Sequence, residues 1–286
     1  MRISTEIASI ANHVGEKEAT RIVAKAGFDA YDLSLFDMGR FDWDTNQMIR
    51  SNHPFQTHEY LKYVRELKKI ADDHGIICNQ SHAPFPIYCK EIWDLQKRAI
   101  ECTAEAGGEI CVIHPDNYKS AEENAQMYRE ILPFAKDHGV KIATENMWNW
   151  NSEKNEAAPA ACSDPESFLA HLNVINDPYF VACLDIGHAE MRGLGTSAPE
   201  LIQALGGHLQ ALHLHDNDRW HDSHTLPFTM DIDYGAVAAA LKKVGYAGFL
   251  TLEADQHCAG CAPEELAGKV AEMAQAARRL SGMIEA

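Results

Sequence analysis

Residues 138–148, HGVKIATENMW, decide the fold. A helix ends at His138-Gly139, a short apolar run follows, and the run closes on the polar pair Glu145-Asn146. Glycine just past a helical stretch is a C-terminal cap, and a short apolar run bounded by turn residues reads as a buried strand. The same grammar returns at 26–35 (AGFDAYDLSL), 74–85 (HGIICNQSHAPF) and 244–255 (VGYAGFLTLEAD). Working outward, strands are expected at 2–8, 29–35, 76–82, 109–114, 140–145, 180–185, 209–215 and 248–253. Helices are expected at 15–26, 57–74, 91–106, 121–138, 164–175, 198–206, 234–244 and 263–281, with Ser163-Asp164-Pro165-Glu166 a capped helix start. Eight such alternations without a break in composition predict one parallel α/β domain over 1–286, a (β/α)8 TIM barrel. A doubly wound sheet would carry a glycine-rich phosphate loop after its first strand, and TEIASIANHVGE at 5–16 has no G-x-G-x-x-G. The long connections 36–56 and 146–163, rich in Trp, Asn and Asp, follow strand ends and are expected to cover a site.

Composition narrows the function classes. The chain has 286 residues, 46% of them hydrophobic, enough for a sizeable core. Its 42 acidic against 25 basic residues leave a net charge of −17, which opposes nucleic acid and anionic membrane surfaces. No apolar run approaches the ~18 residues of a membrane span. The start, Met1-Arg2-Ile3-Ser4-Thr5-Glu6, has an acid where an export signal is apolar, so a cytoplasmic location is expected. Eight scattered cysteines read as reduced thiols, and the one C-x-x-C, Cys258 with Cys261, has neither a second pair nor a redox context.

In a barrel, the C-terminal ends of the strands converge on one face and carry the chemistry. Those ends read Gln80-Ser81-His82, His114, Glu145-Asn146, Asp185-Ile186-Gly187-His188, His213-Leu214-His215-Asp216 and Glu253. A lone strand-end histidine usually bonds a loop; six consecutive strands that each deliver a histidine or carboxylate to one rim point to a site. Glu145, Asp185, His213 and Glu253 form a mixed oxygen and nitrogen set with no Lys or Arg among them. Three carboxylates at one mouth repel unless a divalent cation joins them, and such ligands suit Mn, Co, Zn or Mg. Two opposed glutamates beside that ion suit proton transfer at a carbon next to a carbonyl, with the cation stabilising an enediolate. His188 and Arg219 are expected to hold substrate oxygens, with a surface ion pair to a neighbouring Asp the alternative for Arg219. His82, His114, His215 and Trp148 are the other rim side chains expected to meet substrate, and Trp150 and Trp220 are further loop rings able to stack on a sugar. Asp222 and His224, in DNDRWHDSHTLPF (216–228), are a second metal half-site or a substrate clamp.

Four segments, TEN (144–146), LDIGHAEMRG (184–193), LHLHDND (212–218) and IDYGAVAAALKKVGYAGFLTLE (232–253), resemble the sugar phosphate isomerase/epimerase superfamily, the xylose-isomerase-like barrels. That group includes D-tagatose 3-epimerase, inosose dehydratase and endonuclease IV, and the resemblance spans essentially the whole chain. It implies one catalytic divalent metal, most often manganese, on Glu145, Asp185, His213 and Glu253. It implies Glu145 and Glu253 as the acid/base pair and His188 and Arg219 as substrate contacts. The expected activity is isomerisation or epimerisation of a sugar or sugar phosphate and the partner a small sugar, with a homo-oligomer left open. A lyase or dehydratase acting on a keto-cyclitol or keto-glycoside stays open, as does a non-enzymatic scaffold. So does an endonuclease IV-like multi-zinc phosphodiesterase, for which His82, His114, His188, Asp222 and His224 are candidate extra ligands. The family's usual Pro-Gly-x-Gly after Asp-x-His is here Pro227-Phe228-Thr229-Met230, which predicts a bulkier apolar wall beside the site.

Overall fold

A computed structural model describes all 286 residues. Eight parallel strands form the frame: β1 (Ile3–Thr5), β2 (Ala30–Ser34), β3 (Ile77–His82), β4 (Ile110–Val112), β5 (Lys141–Glu145), β6 (Phe180–Asp185), β7 (Leu209–His213) and β8 (Leu250–Leu252). Strands β2 to β7 pair in chain order, and β1 pairs with β8 in the register Ile3–Leu250, Ser4–Thr251, Thr5–Leu252. Single parallel bridges, Glu6 with Asp32 and Leu214 with Leu252, join the two sheets at both seams and close the barrel.

Side-chain alternation sorts the strand residues between two cores. Cys111, Ile142, Ala182, Leu184 and Leu212 face outward into a cluster of 62 buried residues shared with the helices. Val112, Ala143, Val181, Cys183 and Ala211 face inward and form a small plug of their own. The next inward positions, two residues on, are His114, Glu145, Asp185 and His213. The alternation that packs the barrel floor therefore delivers the polar ring above it.

The helices match the expected segments apart from one split and two additions, one of them the single turn Ile186–Ala189 after β6. Residues 91–106 split into Lys90–Trp93 and Gln96–Ala106, where the buried Gln96 amide takes the carbonyls of Pro84 and Ile92 at 2.9 and 3.1 Å. An extra helix, Ala8–Val14, follows β1. Both long connections form antiparallel hairpins, Phe41–Asp42 with Gln47–Met48 and Trp148–Asn151 with Glu156–Pro159. No helix is long and apolar enough to cross a membrane.

Candidate functional site

The strand ends open into a cavity of about 1040 Å³. His82, His114, Glu145, His188, Asp222, His224 and Glu253 line its floor, and Phe36, Phe41, Trp43, Ile49, Phe85 and Trp148 its apolar walls. At the floor, His213 Nδ1 stands 3.2 Å from Glu145 Oε1 and 3.4 Å from Glu253 Oε2. Ligand atoms of Glu145, Asp185, His213 and Glu253 lie within 4.8 Å of one another. Further groups meet the same limit, among them His82 and His114 with Glu145, and His188 and His215 with Asp222 and His224.

The imidazoles are held in a common way. Nδ1 of His82, His188 and His224 bonds the carbonyl of Ala83, Asn146 and Glu253 respectively, each at 2.9 Å. Bonding Nδ1 to a carbonyl turns Nε2 of each ring into the site, the orientation by which a protein presents an imidazole to a metal. These Nε2 atoms lie 3.6 Å from Glu145 Oε2 for His82, and 3.2 and 3.3 Å from Asp222 Oδ2 for His188 and His224. His213 is turned the other way: its Nε2 faces Asp32 Oδ2 at 3.4 Å, and Asp32 also accepts from the Gln80 amide at 2.8 Å. That leaves Nδ1 of His213 for the glutamates.

Burial and charge push the site's carboxyls in opposite directions. Burial works against charge on Glu145, yet His213, His114 and His82 hold it well below the usual carboxylate range. Glu253, where burial dominates, is raised. Burial also opposes charge on His224, but Asp222 more than offsets this and raises it to about 10, while burial lowers His114 to about 4. The buried atoms Glu145 Oε2, Asp185 Oδ2, Asp222 Oδ1, His114 Nε2 and His215 Nε2 have no hydrogen-bond partner. Buried polar groups in folded proteins are nearly always partnered, so this crowd of carboxylate oxygens and imidazole nitrogens fits divalent ions. Glu145, Asp185, His213 and Glu253 are the set that would hold one.

Several expectations need correction. Arg219 does not line the cavity: its guanidinium pairs with Glu190, whose other oxygen accepts from the Ala198 N–H at 2.9 Å and starts the helix Ala198–Leu205. His215 is fully buried behind the lining, stacked on His224 at 3.8 Å with its Nε2 3.1 Å from Asp185 Oδ1. Phe228 builds no wall beside the site; at φ +74 its ring turns outward against Tyr234 and under Arg279. Trp148 does line the cavity and donates to Asp222 at 3.2 Å, whereas Trp150 and Trp220 lie partly exposed outside it.

Sequence reading missed Glu6, Asp32 and Cys183. Glu6 lines the cavity. Asp32 supports His213, and Cys183 lies with Glu145 and His213 in one ligand-sized cluster. The signal for Asp32 was a lone acid between Tyr31 and Leu33 in an otherwise apolar strand.

Comparison with known proteins bears on the whole chain. A family model described as xylose isomerase-like TIM barrel matches residues 20–277. The uncharacterized protein MJ1311 of Methanocaldococcus jannaschii is 26% identical over 240 residues, 77% of this chain and 78% of that one. L-ribulose 3-epimerase of Methylomonas sp. is 21% identical over 248 residues, covering 84% and 78%. Among solved structures, a D-tagatose 3-epimerase-like protein superposes with a TM-score of 0.72 at 21% identity, over 100% of this chain and 98% of that one. The IOLI protein with a bound zinc atom gives 0.70 at 20% identity, again over 100% and 98%.

Proposed function

Since the chain belongs to the xylose isomerase-like TIM barrel family, we propose that it is a divalent-metal-dependent isomerase or epimerase of a sugar. The observation that carries this reading is His213 Nδ1 between two glutamates, 3.2 Å from Glu145 and 3.4 Å from Glu253, at the floor of a sugar-sized cavity. The sugar epimerases among its relatives and structural neighbours support the reaction class. Glu145, Asp185, His213 and Glu253 would hold the ion, which would supply positive charge beside a substrate carbonyl, with manganese the first choice for this ligand set and zinc, as in the IOLI structure, the second.

The chain's own residues do the rest. One of Glu145 and Glu253 takes the proton from the carbon next to the carbonyl; the other returns a proton from the opposite side. Opposed protonation preferences in two neighbouring carboxyls are the arrangement that splits acid from base. His188 and His114 face the cavity as hydrogen-bonding groups for substrate oxygens. Phe36, Phe85 and Trp148 narrow the mouth and exclude water, so the proton stays with the carboxyls.

The test is proton exchange in D₂O with the metal-loaded protein and a panel of ketoses. Deuterium at the carbon next to the carbonyl, lost in Glu253→Gln, is the expected result. Absence of exchange with every ketose and ketose phosphate, despite bound metal, overturns the reading.

A second reading has one observation in its favour, the two additional ligand groups around His82/His114 and His188/His215/Asp222/His224. They suit a centre of more than one ion, as a phosphodiesterase would need. The cavity opposes a polyanionic backbone, since Glu6, Glu145, Asp222, Glu253 and Asp255 line it against one guanidinium, Arg40. The sugar reading is therefore preferred.

A further inference from the structure

Glu6 follows β1 at the same rim, and the proposed reaction leaves it without a task. It is 3% exposed and lines the cavity beside Asn12, Asp255 and Gln256. Its backbone is fixed by a bond from its N–H to Leu252 O at 2.9 Å, across the β1–β8 seam. Its side chain is turned by Ser9, whose N–H donates to Oε2 at 3.0 Å and whose hydroxyl donates to Oε1. Each oxygen keeps a further lone pair for a ligand. The charged groups that act on it most are Asp255 and Glu253, both acids. A carboxyl taken out of water without a counter-charge is costly, and folds keep such groups chiefly where they serve a site. Burial pushes Glu6 up to about 7, so near neutrality it both donates and accepts hydrogen bonds.

The surroundings decide what it binds. Asp255 Oδ1 is buried without a partner on the same side of the cavity. Arg40, the one guanidinium in the lining, is already bonded to Asp37 at 2.6 Å and to Asn12 at 3.0 Å. A phosphate here would meet two carboxyls and an engaged arginine, whereas a sugar hydroxyl can accept from one carboxyl and donate to the other.

We propose that Glu6, with Asp255 beside it, is a specificity residue that holds a hydroxyl group of an uncharged sugar on the β1 side of the cavity, across from Glu145, and so selects unphosphorylated substrates. This rests on the sugar reading of the site and adds the substrate's charge to it.

The experiment pairs calorimetric binding with D₂O exchange on the metal-loaded protein, using free ketohexoses, their deoxy analogues and their phosphates. Wild type is expected to bind the free ketose about tenfold or more tightly than the analogue lacking the contacted hydroxyl, the worth of one hydrogen bond. Glu6→Ala should erase that preference and Glu6→Gln restore part of it. Ser9→Ala, which frees the carboxyl without removing it, should weaken it in the same direction. Thermal melts identify any variant that fails to fold, and the remaining ones decide. A preference unchanged in Glu6→Ala, or tighter wild-type binding of the phosphate, overturns the proposal even if exchange is seen. Preference that follows Glu6 without any exchange overturns only the isomerase reading, and no binding of any sugar overturns both.

Discussion

Glu145 and His213, 68 positions apart in the chain, meet Oε1 to Nδ1 at 3.2 Å because β5 and β7 flank β6 and each turns its last residue inward. The contact belongs to a group of three carboxyls and one imidazole whose ligand atoms lie within 4.8 Å of one another, so added metal should stabilise the fold. An ion at about 100 times its Kd contributes ~2.7 kcal/mol. For a chain of this size, at ~2–4 °C per kcal/mol, that is a Tm rise of about 5–10 °C. Scanning calorimetry with and without manganese or zinc measures it. Glu145→Gln should lose most of the rise and reduce proton exchange by about a thousandfold.

The group of His188, His215, Asp222 and His224 gives a separate prediction about metal number. Asp222 Oδ2 faces two imidazole nitrogens, at 3.2 and 3.3 Å, while Oδ1 has no partner. If these residues hold a second ion, metal analysis of dialysed protein will return more than one per chain and Asp222→Ala will remove the excess. A count of one, unchanged in Asp222→Ala, makes Asp222 a substrate clamp, and KM then rises in that variant.

Arg219 separates the site from its support. Its side chain is 51% exposed while that of Glu190, its partner, is 5% exposed, so the pair is partly screened and worth no more than about 1 kcal/mol. Arg219→Ala should lower Tm by a few degrees, consistent with ~2–4 °C per kcal/mol, and leave KM for the sugar within about twofold. A large KM increase with an unchanged Tm would return Arg219 to the substrate.

The barrel was legible because apolar runs alternate with helix-length stretches, several of them closed by a glycine cap, and the clustering of Glu145, Asp185, His213 and Glu253 because strand ends of a barrel share a face. Strand lengths were not: β1 and β8 hold three residues each, since Glu6 and Glu253 leave the regular ladder to enter the site. The helix Ala8–Val14 was hidden because its capping residue, Ile7, makes no side-chain cap; the Glu6 carboxylate takes the Ser9 N–H instead. Support residues were hidden for a related reason. Asp32 points inward from the middle of β2, where only the closed barrel reveals that it backs His213. Arg219 misled because its partner, Glu190, stands 29 residues away and on a different loop.

Gly187 explains the glycine in Asp185-Ile186-Gly187-His188. A Cβ there would lie 1.9 Å from His215 Cε1, inside the ring's own volume, and the ring is fully buried with no room to withdraw. Gly187→Ala should therefore destabilise by about 1–3 kcal/mol, the usual cost of overpacking. It should also push His215 away from Asp185 and weaken metal binding. Gly206→Ala is a useful contrast, because a Cβ there meets nothing within 4 Å and only the positive φ of 49° resists it. Loss of metal affinity in the first variant alone, by titration calorimetry, checks the argument.

Asp29 ties the start of the barrel to its last helix. Its Oδ2 accepts from the Ile3 N–H of β1 at 2.7 Å, and its Oδ1 takes Arg278 of the helix Leu266–Glu285 at 2.9 Å. Burial alone would raise this carboxyl, but the bonds from Arg278 and Ile3 outweigh it and the net shift is downward from 3.8. A carboxyl lowered on folding stabilises the native state fully above its unfolded value, and that contribution disappears as the pH falls through the lowered one. Asp29→Asn keeps an oxygen for Ile3 but gives up the charge on Arg278. Wild type should therefore melt above Asp29→Asn at pH 7, and the gap should close as the pH drops below 3.8. Because Arg278 is 46% exposed, salt should narrow the pH 7 gap as well. A gap that persists at low pH would mean that the Ile3 bond, not the ion pair, carries the closure.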